Sequence, residues 1–219
     1  MKEYIQYKQD EMLKLIEELV NIDSGSVNKA GVDLVGSRLK AEYEKIGFMI
    51  HEVPQEEYGN HLFIQHKEAD EPEILVIAHM DTVFPFGTAI ERPFRRNGNK
   101  AYGPGVIDMK SSLVTLLFAM KALIKEGSPH YKNVQIILNS DEEIGSPSSK
   151  ELIIDAAGGK NTHSSWSRRE KMVHLCLQGE AKEIIPSMSS GERHTLVLSL
   201  RKEEVRLKSL PIRSSRCMS

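Results

Sequence analysis

Apolar residues recur at helical spacing through Ile5, Met12, Leu13, Ile16, Leu19 and Val20, so an amphipathic helix opens the chain and ends near "NIDSGS". A second helix is predicted through "GVDLVGSRLKAEYEKIG", with Gly47 as its stop. Two strand-like pieces follow, "FMIHEV" and "HLFIQHK", separated by the turn-rich "EEYGN". "EILVIAHM" and "NVQIILNS" are continuous apolar runs, the signature of strands buried on both faces. Between them "MKSSLVTLLFAMKALIKEG" has helical length and period. "SSKELIIDAA" reads as a helix start with a Ser-x-x-Glu capping box at Ser148 and Glu151. Buried strands alternating with helices predict an α/β layer fold with a largely parallel sheet.

This grammar stops near residue 158. In "GGKNTHSSWSRREKMVHLCLQGEAKEIIPSM" no hydrophobic period holds for long. The chain therefore divides into a patterned body, residues 1–157, and a tail, residues 158–219, for which no domain is predicted. "HTLVLSLRKEEVRL" in the tail has enough apolar residues for an opportunistic strand or helix.

Composition narrows the class. The 219 residues are 40% hydrophobic and 27% charged with a formal net charge of -2, which gives no electrostatic reason for a nucleic-acid or anionic-membrane partner. No apolar run of bilayer-spanning length and no secretory leader are evident, so a cytoplasmic address is expected. Both cysteines, Cys176 and Cys217, lie in the tail, which leaves the body without thiol ligands or a disulfide framework.

The candidate chemistry sits where apolar strands stop. "VIAHMDTV" places His79 and Asp81 two apart, on the same side of an extended chain. "AYGPGVIDMK" places Asp108 between a Gly-Pro-Gly turn and a helix, and "IILNSDEEIGS" places Asp141, Glu142 and Glu143 just past another strand. Each cluster alone has a mundane reading: a hydrogen-bonded His-x-Asp pair, a helix-capping Asp, a solvated acidic turn. Three of them at strand ends, where open α/β sheets bind ligands, point instead to one metal site. One imidazole with several carboxylates suits zinc or another borderline first-row metal. Asp108 could bridge a metal pair, and of two adjacent glutamates one can bind metal while the other moves a proton. His51, His61, His66 and His130 lack a carboxylate pattern and are expected at the surface.

"HMDTVFPFGTAIERPFRRNGNKAYGPGVIDMKSS" followed by "NSDEEIGS" resembles the zinc exopeptidases that include glutamate carboxypeptidase, acetylornithine deacetylase and succinyl-diaminopimelate desuccinylase, and most of all glutamate carboxypeptidase. The resemblance covers residues 1–157. It implies a three-layer catalytic domain with two zinc ions: His79 on one, Asp108 bridging both, Glu143 on the other. It also implies Glu142 as general base, Asp81 as the carboxylate that orients His79, and a cis peptide bond after Asp108. The family further implies one more carboxylate ligand, a distant histidine ligand, and a lid or dimerisation domain that would make a homodimer. None of these is recognisable in the tail.

Reading the tail's codons shifted by one base offers an account of that loss. Met172-Val173 then forces Gly, and Trp166-Ser167 allows only Val or Glu. Permitted codons from Asn161 to Ser215 yield "VVEPA" and, further on, "AAHSGVEPEKGRSA", chosen with the family in view, which resemble its missing ligand segment and the start of its lid. The expectation is an out-of-frame tail, truncating a metallopeptidase that cleaves a peptide-like amide next to a free carboxylate, most of all a C-terminal glutamate. Cys176 and Trp166 carry no site on that account. The alternatives are an N-acyl-amino-acid deacylase, and a non-catalytic remnant that binds metal or an intact homologue. A tail with its own selected function would make Cys176, His163, His174 and His194 the residues to weigh for the missing ligands.

Overall fold

The computed structural model describes residues 1–157 and, further along, the backbone of a strand at Lys171–His174; the expectations for the rest of the tail lie outside the described residues. The opening amphipathic stretch is two helices, α1 (Lys2–Tyr7) and α2 (Gln9–Val20), because Lys8 leaves the helical basin (φ -91, ψ 5). Helix α3 (Lys29–Glu44) begins at Asn28, whose side chain accepts the Gly31 N–H. Gly47, at φ +84, then turns the chain into strand β1 (Phe48–Val53), a left-handed conformation that glycine adopts without a steric penalty.

Strands β2 (His61–His66), β3 (Ile74–His79) and β6 (Val134–Asn139), together with β7 (Lys171–His174), complete one sheet in the order β1-β2-β6-β3-β7. The α/β architecture stands, but the sheet is mixed. β1 pairs antiparallel with β2 and β2 antiparallel with β6, whereas β3 is parallel to both β6 and β7. The short "EEYGN" connection allows only an antiparallel β1–β2 pair, since a parallel one needs a long crossover. Parallel pairing is thus concentrated around β3, where the candidate site lies. The strand β7 falls in the tail, in a stretch where no hydrophobic period predicts an element.

Side chains alternate along the central strands. Val76, Ala78, Ile136 and Leu138 enter one core together with α2, α3 and α5 (Ser111–Lys125). Leu75, Ile77 and Ile137 enter a second, smaller core under α6 (Lys150–Ala156). Both faces are covered, which gives three layers and explains the unbroken apolar runs. The same burial corrects two histidine expectations. His61 is fully enclosed and His66 is buried with its ring edge-on to Phe48 and Tyr131, at centroid distances of 5.2 and 4.6 Å; both lie on β2, flanked by β1 and β6. His51 and His130 are exposed as expected. The short outer elements are α4 (Thr88–Glu91) and the hairpin of β4 (Arg95–Asn97) with β5 (Lys100–Tyr102). Among the described residues no helix is long and apolar enough to cross a membrane.

Glu42 ties the helical layer together. It accepts from Lys121 Nζ on α5 at 2.7 Å, from Lys45 Nζ at 2.7 Å and from Arg38 Nη1 at 2.9 Å, and Arg38 also reaches Glu18 on α2. Burial alone would raise the Glu42 carboxyl, but these three cations hold it down at about 2. A depressed carboxyl stabilises the fold above its unfolded value and loses that contribution as pH falls. The loss therefore runs from about 4.5 down to about 2. Glu42→Gln should cost roughly 2 kcal/mol at pH 7, less than a fully buried pair because Lys45 and Arg38 are partly solvated. Urea denaturation at pH 7 and pH 3 checks this: the difference between variant and wild type should shrink at the lower pH.

Candidate metal centre

β3 and β6 run parallel with His79 opposite Asn139, so the residues just after them emerge side by side at the same sheet end. Asp81 is the hub there and is wholly buried. Its carboxylate accepts the Ser26 hydroxyl at 2.6 Å and the backbone N–H groups of Glu142 and Glu143 at 3.2 and 3.1 Å. The same carboxylate lies 3.3 Å from His79 Nδ1, which also sits 3.0 Å from the Asp81 carbonyl. Two acceptors at Nδ1 fix the proton on that nitrogen and leave Nε2 facing outward as a potential ligand. Nε2 points at Asp108 Oδ1, 3.1 Å away, and lies 3.9 Å from Glu142 Oε2.

Asp108 arrives from the opposite side on the turn Val106–Lys110, where it and Met109 leave helical geometry and the peptide bond joining them is cis. Gly105 opens that turn at φ +69; a Cβ there would come within 2.5 Å of Thr82 Cγ2, so no larger residue fits. Lys110 closes it, buried, with Nζ donating to the Ile22 carbonyl at 2.7 Å. The loop between α2 and α3 is thus a shelf under the site. It supplies Ser26 to Asp81 and the Ile22 carbonyl to Lys110. It also supplies the Asp23 carboxylate, which accepts the Gly87 and Ala89 N–H groups at 2.8 Å each.

Glu142 and Glu143 ride on a single tight turn, Glu142–Ile144, that starts from Asp141 and ends at Gly145 with φ +91. Asp141 points away from the other acids. It accepts the Ser148 N–H at 2.6 Å and the Ser149 N–H and hydroxyl at 3.1 and 2.5 Å, and the Ser148 hydroxyl lies 2.8 Å from it. Burial pushes its carboxyl up, but the Ser149 and Ser148 donors outweigh this and hold it low. The capping box at Ser148 and Glu151 does not form: α6 begins after Ser149 without a side-chain cap, because the Ser149 hydroxyl is committed to Asp141 and the Ser148 hydroxyl sits between Asp141 and the His61 ring.

The ligand atoms of His79, Asp108 and Glu143 lie within 4.8 Å of one another, a set able to hold a metal ion. Its electrostatics agree. Burial, reinforced by Asp108, Asp81 and Glu142 against the opposing His79, pushes Glu143 up to about 7. Burial opposes the His79 imidazolium, yet Asp108 and Asp81 push that ring up to about 10. This is a cluster of acids short of positive charge, the condition a divalent cation relieves. The fold brings together the five residues that sequence patterns single out, His79, Asp81, Asp108, Glu142 and Glu143. Those patterns gave no sign of Ser26, Asp23 or the serines on Asp141, since isolated small polar residues in loops carry no periodic signal.

The family model for "Peptidase family M20/M25/M40" matches residues 75–183, running past residue 157. Carboxypeptidase G2 from Pseudomonas sp. (strain RS-16) is 34% identical over 152 residues, 68% of this chain and 37% of that one. A succinyl-diaminopimelate desuccinylase from Pseudoalteromonas atlantica is 30% identical over 176 residues, 78% of this chain and 43% of its own. The chain thus spans less than half the length of these curated relatives. Human carnosine dipeptidase 1 superposes with a TM-score of 0.64 at 19% identity, over 79% of this chain and 40% of that one, a likeness of fold.

Proposed function

Because this chain belongs to peptidase family M20/M25/M40, we propose that it carries the metal half of a hydrolase that splits a peptide-like amide beside a free carboxylate, with a C-terminal glutamate as the leading substrate. The observation that carries this reading is the convergence of His79, Asp108 and Glu143 with the Glu142 carboxylate 3.9 Å from His79 Nε2. Matches to one relative named a carboxypeptidase and another named a desuccinylase support amide hydrolysis in general, and the second keeps deacylation of an N-acyl amino acid as the other reading.

His79, Asp108 and Glu143 would hold the metal, and zinc suits this donor set. When bound, the ion supplies Lewis acidity for the scissile carbonyl and the attacking water. The chain's own residues do the rest. Asp81 keeps the His79 proton on Nδ1 and fastens both glutamate N–H groups. Glu142, half-exposed beside this cluster, takes a proton from water as it adds to the carbonyl carbon. It returns that proton to the departing amine nitrogen as the C–N bond breaks, which leaves an acid and an amine.

Only three donor side chains converge among the described residues, whereas a closed zinc site uses four ligands. Residues 158–219 are, in this reading, an out-of-frame tail. The shifted codons that yield "VVEPA" and "AAHSGVEP" support it; the written frame's own family match to residue 183 and strand β7 count against it. The chain as written should therefore bind at most one weakly held ion and turn over little. Equilibrium dialysis against zinc, with hydrolysis of N-acyl-glutamates followed in parallel, tests this. Two tightly held ions with ordinary exopeptidase activity in the isolated chain would refute it, and co-purification of an intact homologue would favour the non-catalytic remnant.

A further inference from the structure

His61 lies in the second residue layer behind the site, wholly enclosed on β2, with a hydroxyl at each ring nitrogen. Nδ1 is 3.1 Å from Ser140 Oγ, and Nε2 is 3.0 Å from Ser148 Oγ. The protons can be assigned. Ser140 Oγ donates to the Gly59 carbonyl at 2.5 Å, so its lone pair receives a proton from His61 Nδ1. A neutral ring then presents Nε2 as an acceptor, and the Ser148 hydroxyl is the donor that meets it. That hydroxyl also lies 2.8 Å from Asp141 Oδ2, but this oxygen keeps the Ser148 and Ser149 N–H groups at 2.6 and 3.1 Å however the hydroxyl turns. Ser148 is therefore held on both sides, by the imidazole through its side chain and by Asp141 through its backbone.

We propose that His61 is a positioning residue for the metal centre: by anchoring the Ser148 hydroxyl it fixes the Ser148–Asp141 pin, and so the turn that presents Glu142 and Glu143. The inference rests on the reading of that turn as part of a metal site. Asp141 begins the turn, its carbonyl accepts the Ser146 N–H at 2.7 Å, and its carboxylate is gripped by Ser148 and Ser149. Two sheet residues hold that grip: Asn139 on β6 donates its Nδ2 to Ser149 Oγ at 3.0 Å, and His61 on β2 meets the Ser148 hydroxyl. Burial pushes the His61 ring down from its ordinary value, against Asp141 and Asp81, the charged groups that favour its cation. The ring is neutral at pH 7, as the proton assignment requires.

Two side chains separate this role from simple packing. Glutamine at position 61 can bring an acceptor oxygen to where Nε2 lies, whereas asparagine reaches only the Nδ1 position facing Ser140. On the full chain, with cobalt(II) as the probe ion, competition with a chromophoric chelator and the visible ligand-field spectrum report on the site. His61→Asn should weaken cobalt binding about tenfold, the low end for groups behind metal ligands, and alter the spectrum. His61→Gln should stay within about twofold of wild type. Ser148→Ala should repeat the asparagine result, and it serves if His61→Asn does not fold. Equal affinities for all variants, or equal losses for Asn and Gln, overturn the proposal. Nitrogen-15 NMR of histidine-labelled chain tests the clamp without metal: at pH 7 the signals lost in His61→Gln should show a proton on Nδ1 and none on Nε2, and the reverse tautomer overturns it. A wild-type chain that takes up no cobalt but shows the expected tautomer refutes the metal-centre reading, and with it the positioning role, while leaving the clamp itself established.

Discussion

Asp81→Ala should destabilise the chain by about 4 kcal/mol and abolish its uptake of metal. The carboxylate collects the Ser26 hydroxyl and the N–H groups of Glu142 and Glu143 in a fully buried position. Removing it strands three donors, at about 1–3 kcal/mol each. His79 Nδ1 suffers less, because the Asp81 carbonyl at 3.0 Å still accepts from it. One effect opposes the loss. Asp81 adds to the negative charge that raises Glu143, so its removal relieves repulsion, but across a half-exposed mouth that relief is on the order of 1 kcal/mol. The stranded donors win. Asp81→Asn removes the charge and keeps one acceptor oxygen, so it should fall between, at about 2 kcal/mol. Urea denaturation of the three proteins gives the ordering. Against a typical domain stability of about 5–15 kcal/mol, the alanine variant will be marginal at 37 °C. A loss below about 1 kcal/mol would mean that the turn carrying the glutamates stands without Asp81.

That hub also marks what could be read from the sequence. The strands Phe48–Val53 and His61–His66 and the two central apolar strands follow from local pattern, since period and turn residues are properties of contiguous chain. The five candidate residues that the fold brings together stand out in the sequence for the same reason: each sits in a short motif just past a strand or before a helix. Pairing direction was less so. The mixed sheet depends on β2 inserting between β1 and β6, a decision made by contacts far apart in sequence. Burial of His61 and His66 was hidden because a histidine in an alternating strand looks the same whether its outer face meets water or another layer. Ser26 reaches Asp81 across 55 positions, and nothing in "DSGSV" announces it. The failed capping box has the same origin: Ser148 has the right neighbours for a cap, but Asp141 seven residues back and the distant His61 ring occupy its hydroxyl instead.

Restoring one base near codons 157–161 should convert this chain into an active amidase. On the proposed shifted reading, with a frame that stays open past the present stop, "VVEPA" would place a glutamate before proline as the carboxylate that the three converging donors lack, and "AAHSGVEP" would place a lid histidine. Four-ligand sites hold zinc far more tightly than three-donor clusters open to water, so the restored protein should carry two ions where the written chain carries at most one. Its kcat/KM on an N-acyl-glutamate should exceed that of the written chain by at least about a thousandfold, the scale of losing oriented ligands and substrate contacts together. Glu142→Gln in the restored protein should then lower kcat by about 10²–10⁴ with both ions retained, because the glutamine cannot take the proton from water while His79, Asp108 and Glu143 are untouched. Loss of metal in that variant would instead make Glu142 a ligand. Activity confined to N-acyl amino acids without glutamate would select the deacylase reading. Sequencing the coding DNA across codons 150–219 comes first: codons that forbid "VVEPA" would make the tail genuine protein and return its Cys176, His163, His174 and His194 to consideration as the missing ligands.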